Sequence, residues 1–255
     1  MSFPFVAALS DKAVTVEYSS TSTMRPGSMG MTEDGSFFRL CRAGEDLTNT
    51  LCGKVTQENF QGGVTGTCIE GAGSVIAIGD EYVDITDATN SRAADYYKDG
   101  WVVQPKSTPG DNIRRIVSSD AESSDTYRLH VSAPFTVAQA AGETIMAYTN
   151  PFKDIRNGVA GGPLGTAYDA LTCYANHNVT SGYYFWGKRR GPHWVWLGAI
   201  GTWPGAAAGD RVVSAYPSGT VWMLDENVAG TSYQTVGYLL HANNYGDMFV
   251  WLTLE

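Results

Sequence analysis

The chain has 255 residues, with 26 acids against 17 bases for a net charge of −9, and it carries 29 glycines. With 17% charged and 43% hydrophobic residues it can fill a core without metal or disulfide staples, which excludes disorder as its main state. Nucleic-acid binding needs clustered Lys and Arg to release counterions, so the acidic balance argues against that class.

The opening Met1-Ser2-Phe3-Pro4-Phe5-Val6-Ala7-Ala8-Leu9 places no basic residue before its short apolar run, so no secretory signal is expected. Phe3, Phe5, Val6 and Leu9 form an apolar tip. Behind them Ala13 to Tyr18 is strand-like, with Val14, Val16 and Tyr18 alternating. The polar residues 19–24 and Pro26-Gly27 read as an extended connector. Residues 1–29 are therefore expected to form an N-terminal arm. Left free, it would expose apolar surface and a strand edge, so it should dock on its own body or on a neighbour.

Residues 30–255 are expected to form a β-rich body. Two short helices are predicted, Ala43 to Leu51 and Asp87 to Tyr97, the second with Asp87 as N-cap. Strand alternation returns at Tyr127, Leu129 and Val131, at Trp194 and Trp196 running to Ile200, and at Phe249, Trp251 and Leu254. Turn signals stand at Asp34-Gly35, Asp99-Gly100, Pro109-Gly110 and Tyr245-Gly246-Asp247. The glycine-rich stretch 157–165 reads as a hinge dividing the body into two subdomains. Gly191 to Gly209 lacks Asp, Glu, Lys and Arg, but its five glycines and two prolines argue against a membrane span. The sum is an all-β fold: a β-sandwich or barrel-like body with short helices only and an extended N-terminal arm.

The residues that could carry chemistry are sparse. Cys41, Cys52, Cys68 and Cys173 form no CxxC, and His130, His177, His193 and His241 stand at no metal-ligand spacing. Buried reduced thiols are expected, with no metal and no organic cofactor. Gly71-Ala72-Gly73-Ser74 has the look of a phosphate loop. Ile76 stands where a dinucleotide fingerprint needs its third glycine, so it reads as a turn. Acids cluster at Asp80, Glu81, Asp84 and Asp87, and at Asp120, Glu122 and Asp125. Either cluster has the residue types for calcium or for a general acid and base, and solvated surface is the plainer reading. No nucleophile elbow, zinc-protease motif or P-loop is present, so no enzyme is expected.

Six of the seven tryptophans lie between Trp186 and Trp251. They can fill a core, anchor an interface or stack on sugars. Residues 129–255 hold 8 acids and 6 bases, against 18 and 11 in residues 1–128, which leaves the second half less polar cover. Lys188-Arg189-Arg190 is the basic triplet of an acidic chain. It reads as a hairpin tip or as a contact for an acidic surface. The candidate interface residues are therefore Phe3, Phe5, Val6, Leu9, Trp186, Lys188, Arg189, Arg190, Trp194 and Trp203.

Several segments, in order, carry a resemblance. They are Asp34-Gly35-Ser36-Phe37-Phe38-Arg39-Leu40-Cys41-Arg42-Ala43-Gly44 within Gly30 to Gly53, and Tyr96-Tyr97-Lys98-Asp99-Gly100-Trp101-Val102-Val103 leading to Ile113-Arg114-Arg115-Ile116. Thr149-Asn150-Pro151-Phe152, Gly182-Tyr183-Tyr184-Phe185-Trp186-Gly187 and Ala208-Gly209-Asp210-Arg211-Val212-Val213 follow, the last leading to Val236-Gly237-Tyr238. This series resembles the auxiliary capsid proteins of tailed bacteriophages, known as decoration or cement proteins. The resemblance implies a non-enzymatic β protein, made in the host bacterial cytoplasm, that binds major capsid protein on the outer capsid surface of the virion and stabilises the shell. It also implies self-association, as a homotrimer, with no nucleic acid and no membrane as partner. Two other functions stay open. One is a virion-surface or tail glycan-binding module using the tryptophans, and the other is a β-fold glycoside hydrolase using a pair of the acids.

Overall fold

The computed structural model describes residues 6–49, 51–57, 68–86, 93–104, 112–121, 123, 125–157, 168–196, 212–215, 221–223, 234–242 and 247–254. The fold is all-β, as the alternation predicts. The chain divides into two compact units: residues 1–55 with 152–255, and residues 56–151 inserted between them. Of the hinge stretch 157–165, residue 157 ends a strand inside the first unit and the rest lies outside the described residues.

Unit 1 holds β1 (Val6–Ala8), β2 (Met29–Met31), β3 (Phe37–Arg42) and β4 (Cys52–Gln57), the last running into the unit boundary. After the insertion come β11 (Arg156–Asn157), β12 (Tyr168–Ala175), β13 (Tyr184–Trp196), β14 (Val212–Ala215), β15 (Val221–Met223), β16 (Thr235–Ala242) and β17 (Asp247–Thr253). They make one sheet in the order β1-β2-β3-β13-β17-β16-β14-β15, with a branch β12-β4-β11 leaving from β13. The branch arises because β13 changes partner along its length. It pairs with β3 through Tyr184–Arg190 and with β17 through Arg190–Trp196, while Gly187 and Lys188 also meet β12. The register shifts between Lys188 and Arg190, and Gly191 follows at φ +111. A side chain is strained at that φ, and a Cβ there would run into Ser36, so glycine suits the bend of the strand.

The two branches face each other across one core. Cys52 and Tyr174 from the β4-β12 branch pack with Val195, Val213, Val221, Val236, Met248, Val250, Leu252 and Leu254 from the other, which makes this part of unit 1 a sandwich. A second core gathers Cys41, Ala43, Leu47, Ile155, Cys173, Ala175, Val179 and Phe185.

The segment expected to be an arm is docked on unit 1. β1 pairs in parallel with β2, and Leu9, Val14, Tyr18 and Met24 cover Phe38, Leu40 and Trp186. Residues 13–18 are not a strand: Ala13–Thr15 forms a 3-10 turn and Tyr18 makes a single bridge to Tyr184. Capping it, the Glu17 carboxylate accepts from the Thr180 N–H at 2.6 Å and from its hydroxyl at 3.1 Å.

Unit 2 holds β5 (Cys68–Ala72), β6 (Tyr82–Thr86), β7 (Trp101–Gln104), β8 (Asn112–Ser119), β9 (Thr126–Val131) and β10 (Thr144–Tyr148), ordered β5-β10-β7-β8-β9-β6. A Gly73–Ile85 bridge joins the two ends, closing the sheet into a small barrel around Ile85, Tyr97, Ile116, Tyr127, Leu129, Phe135 and Ile145. The predicted phosphate-like turn is thus the end of β5 and its closing bridge. The helix expected over Ala43 to Leu51 is absent from its described residues. Its backbone donors go sideways instead, Ala43 to Tyr183 O, Gly44 to Ile155 O and Leu47 to Val179 O. Of the second expected helix, residues 87–92 lie outside the described residues and residues 94–99 are turns, with Asp95 and Asp99 at positive φ.

Candidate interaction surface

Along β13, β17 and β16 the apolar residues occupy both faces. Val195 on β13 and Met248, Val250 and Leu252 on β17 point into the sandwich core. Their neighbours of opposite parity therefore project outward. Register sets the outward residues side by side: Trp194 opposite Phe249, Pro192 opposite Trp251, Trp251 opposite Tyr238, and Tyr238 opposite Val212 of β14. Trp194 is 50% exposed, Val212 42%, Tyr238 41% and Leu240 40%, so the face is open to solvent. The Tyr238 and Trp251 rings lie nearly parallel, 16° apart with centroids at 6.4 Å, and Trp194 and Phe249 lie 6.2 Å apart. Exposed apolar area here is on the order of 400–500 Å², within the range of the largest patch on a typical monomer, a patch that often serves a function.

The predicted interface residues separate on this frame. Trp194 belongs to the open face. Trp186 does not: at 3% exposure it is core, sealed under the docked N-terminal segment. Val6 is exposed on β1, and Leu9 is half-buried, its side chain filling the space over Gly30. The side chains of Phe3, Phe5 and Trp203 lie outside the described residues, as do those of Trp196 and Trp222.

The basic triplet is mid-strand, not a hairpin tip, so its three side chains diverge. Lys188 is buried, donating to Pro192 O at 2.7 Å and lying 5.5 Å from the Phe38 ring centre, and burial holds its pKa below the usual lysine value. Arg189 donates to Leu254 O and covers the Phe152 ring. Arg190 alone of the three is exposed, on the same side of β13 as Trp194 and over the Phe37 ring.

Beneath the aromatic face, His193 lies 5.1 Å from the Tyr174 ring, with Nε2 sealed from solvent and without a hydrogen-bond partner among the described residues. Burial, with Lys188 alongside, pushes its pKa down to about 3. Cys41, Cys52 and Cys173 are free and buried, and burial raises the thiol pKa of Cys41 and Cys52. Three of the clustered acids, Asp80, Asp84 and Asp120, have partners. Asp84 takes a two-pronged ion pair from Arg128 at 2.8 and 2.9 Å, and Asp80 accepts from the Ala77 N–H at 2.7 Å. Asp120 lies 3.5 Å from His130, while Asp87 and Glu122 lie outside the described residues. Among the described residues no three His, Cys, Asp or Glu side chains gather as a metal site.

Phe249, Trp251, Tyr238, Leu240 and Val212 complete the face and were absent from the sequence-predicted interface set. The signal was present in Phe249 and Trp251, which mark a strand, but alternation does not say which parity faces out when both are apolar. No protein-family model, curated protein or solved structure matches this chain.

Proposed function

We propose that this chain is a non-enzymatic structural protein of a phage particle, a decoration or cement protein that binds major capsid protein on the outside of the shell and stabilises it. The observation that carries this reading is the open aromatic face of β13, β17 and β16. An area of about 450 Å² falls well short of the roughly 800 Å² per partner buried in a stable pairwise complex. A contact of that size is weak alone and becomes firm when many copies, or the subunits of a homotrimer, engage a repeating lattice together. The buried, unpaired thiols Cys41, Cys52 and Cys173 agree with synthesis in a reducing cytoplasm.

The test is co-sedimentation of purified protein with undecorated shells, comparing wild type with a Trp194→Ser/Tyr238→Ser double variant. Trp194 is 50% and Tyr238 41% exposed, so the variant stays folded but melts somewhat lower, and at temperatures well below both melting points its binding falls by at least about tenfold. Full occupancy by the variant would overturn the assignment of this face.

A second reading is favoured by the near-parallel Tyr238 and Trp251 rings: a platform that stacks on sugar rings of a glycan. Retention of the wild type, and release of the same double variant, on polysaccharide-containing gels would support it over the first.

A further inference from the structure

Two loops close one end of the unit 2 barrel: residues 73–81, between β5 and β6, and residues 132–143, between β9 and β10. They are bound to each other by the backbone. Ile76 and Gln139 exchange N–H···O bonds at 3.0 and 2.9 Å, the Gly79 N–H donates to Phe135 O at 2.9 Å, and the Phe135 N–H donates to Asp80 O at 2.9 Å. Ile76 and Phe135, each 1% exposed, anchor the pair in the barrel core. The Asp80 carboxylate then ties the turn by accepting from the Ala77 N–H.

This bracing holds apolar side chains out in water. Ile78 is 71% exposed and Val75 64%, the highest values among the large hydrophobic residues described, and Ala77 and Pro134 are exposed beside them. A slack loop would fold such side chains onto the protein. A projection fixed by its own hydrogen bonds loses little freedom on docking.

The chemistry beside it narrows the occupant. Asp80 and Glu81 follow Ile78 and Gly79 directly, and residues 68–86 contain no Lys or Arg. Arg114 reaches the other loop from β8, donating to Pro134 O and to the Thr136 hydroxyl. Packing two copies tip to tip would set the Asp80-Glu81 pairs of a −9 chain against each other, which opposes a second copy as partner. The exposed area, roughly 200 Å² against ~800 Å² per partner for a flat interface, suits a knob entering a pocket. We propose that residues 75–78 are a second docking point, a knob that enters an apolar pocket rimmed by Lys or Arg on a shell subunit. This rests on the shell-binding reading above, and it uses residues of unit 2 rather than the aromatic residues of unit 1.

The test is binding of wild type, Val75→Ser/Ile78→Ser and Glu81→Lys to undecorated shells at low and high salt, with melting temperatures measured alongside. The serine variant keeps its melting temperature and binds at least about tenfold more weakly. Glu81→Lys weakens binding at low salt, and its deficit shrinks at high salt. If wild type binds and the serine variant matches it, the knob is overturned while shell binding stands. If the serine variant weakens and Glu81→Lys does not, the basic rim is overturned. If wild type leaves shells bare, the shell-binding reading falls and takes the knob with it.

Discussion

Acid should loosen unit 1 through one imidazole whose Nε2 is sealed from solvent. His193 lies beside Tyr174, and its folded pKa of about 3 stands against an ordinary value of 6.5. Between those values the unfolded chain binds a proton that the folded chain refuses. Stability is therefore fully present above pH 6.5 and is lost as pH falls toward 3. Linkage between the two pKa values gives a loss of about 2 kcal/mol on going from pH 7 to pH 5. His177, displaced downward by burial, adds in the same direction, whereas Asp34, held low by its bonds to Thr32 and Ser36, contributes only below the carboxylate range. The informative comparison is thus wild type against His193→Phe, which keeps a ring in the same space and cannot titrate. Urea unfolding followed by tryptophan fluorescence reports on unit 1, because six of the seven tryptophans lie there and Trp101 alone lies in unit 2. The variant should lose less of its stability by pH 5 than wild type, by about 2 kcal/mol. Equal losses in the two proteins would refute the reasoning.

Gly187→Ala should lower the melting temperature sharply, since its Cβ would lie 2.5 Å from Cys173 Sγ and 3.0 Å from Cys41 Sγ; the expected cost is about 1–3 kcal/mol, read from urea curves. Cys41, Cys52 and Cys173 should resist alkylation in the native state and react together on unfolding, scored by peptide mapping after a maleimide pulse. Deleting residues 1–18 removes Leu9, Val14 and Tyr18 from Phe38, Leu40 and Trp186. The truncated protein should stay folded, melt lower and show a red-shifted tryptophan emission as Trp186 meets water.

How much of this could be read from residues alone depended on whether a strand is apolar on one face or two. In β9 the apolar residues Tyr127, Leu129 and Val131 alternate with polar ones, and all three are buried as the pattern implies. In β17 Met248, Val250 and Leu252 alternate with Phe249 and Trp251, so either parity could serve as the inner face. Pairing with β13 and β16 across the sandwich decides it, and that pairing is non-local. Trp186 illustrates the same limit: its place among clustered tryptophans suggests a contact residue, yet a segment more than 160 residues earlier in the chain covers it. The short helix expected from Ala43 failed because its backbone donors found the carbonyls of Ile155, Val179 and Tyr183, which are remote in the sequence. The edges of unit 2 carry glycines at Gly62, Gly63 and Gly66 and the turn pair Asn150-Pro151, but such signals mark a loop without saying that the chain returns to the same sheet.

The most direct test of the central proposal is the copy number of this chain in purified particles, measured by quantitative mass spectrometry against major capsid protein. A structural decoration protein predicts a fixed, high ratio to the capsid subunit, retained through repeated density-gradient purification and lost when Trp194 and Tyr238 are both replaced by serine. A chain absent from the particles, or present in traces that wash away, would contradict the account.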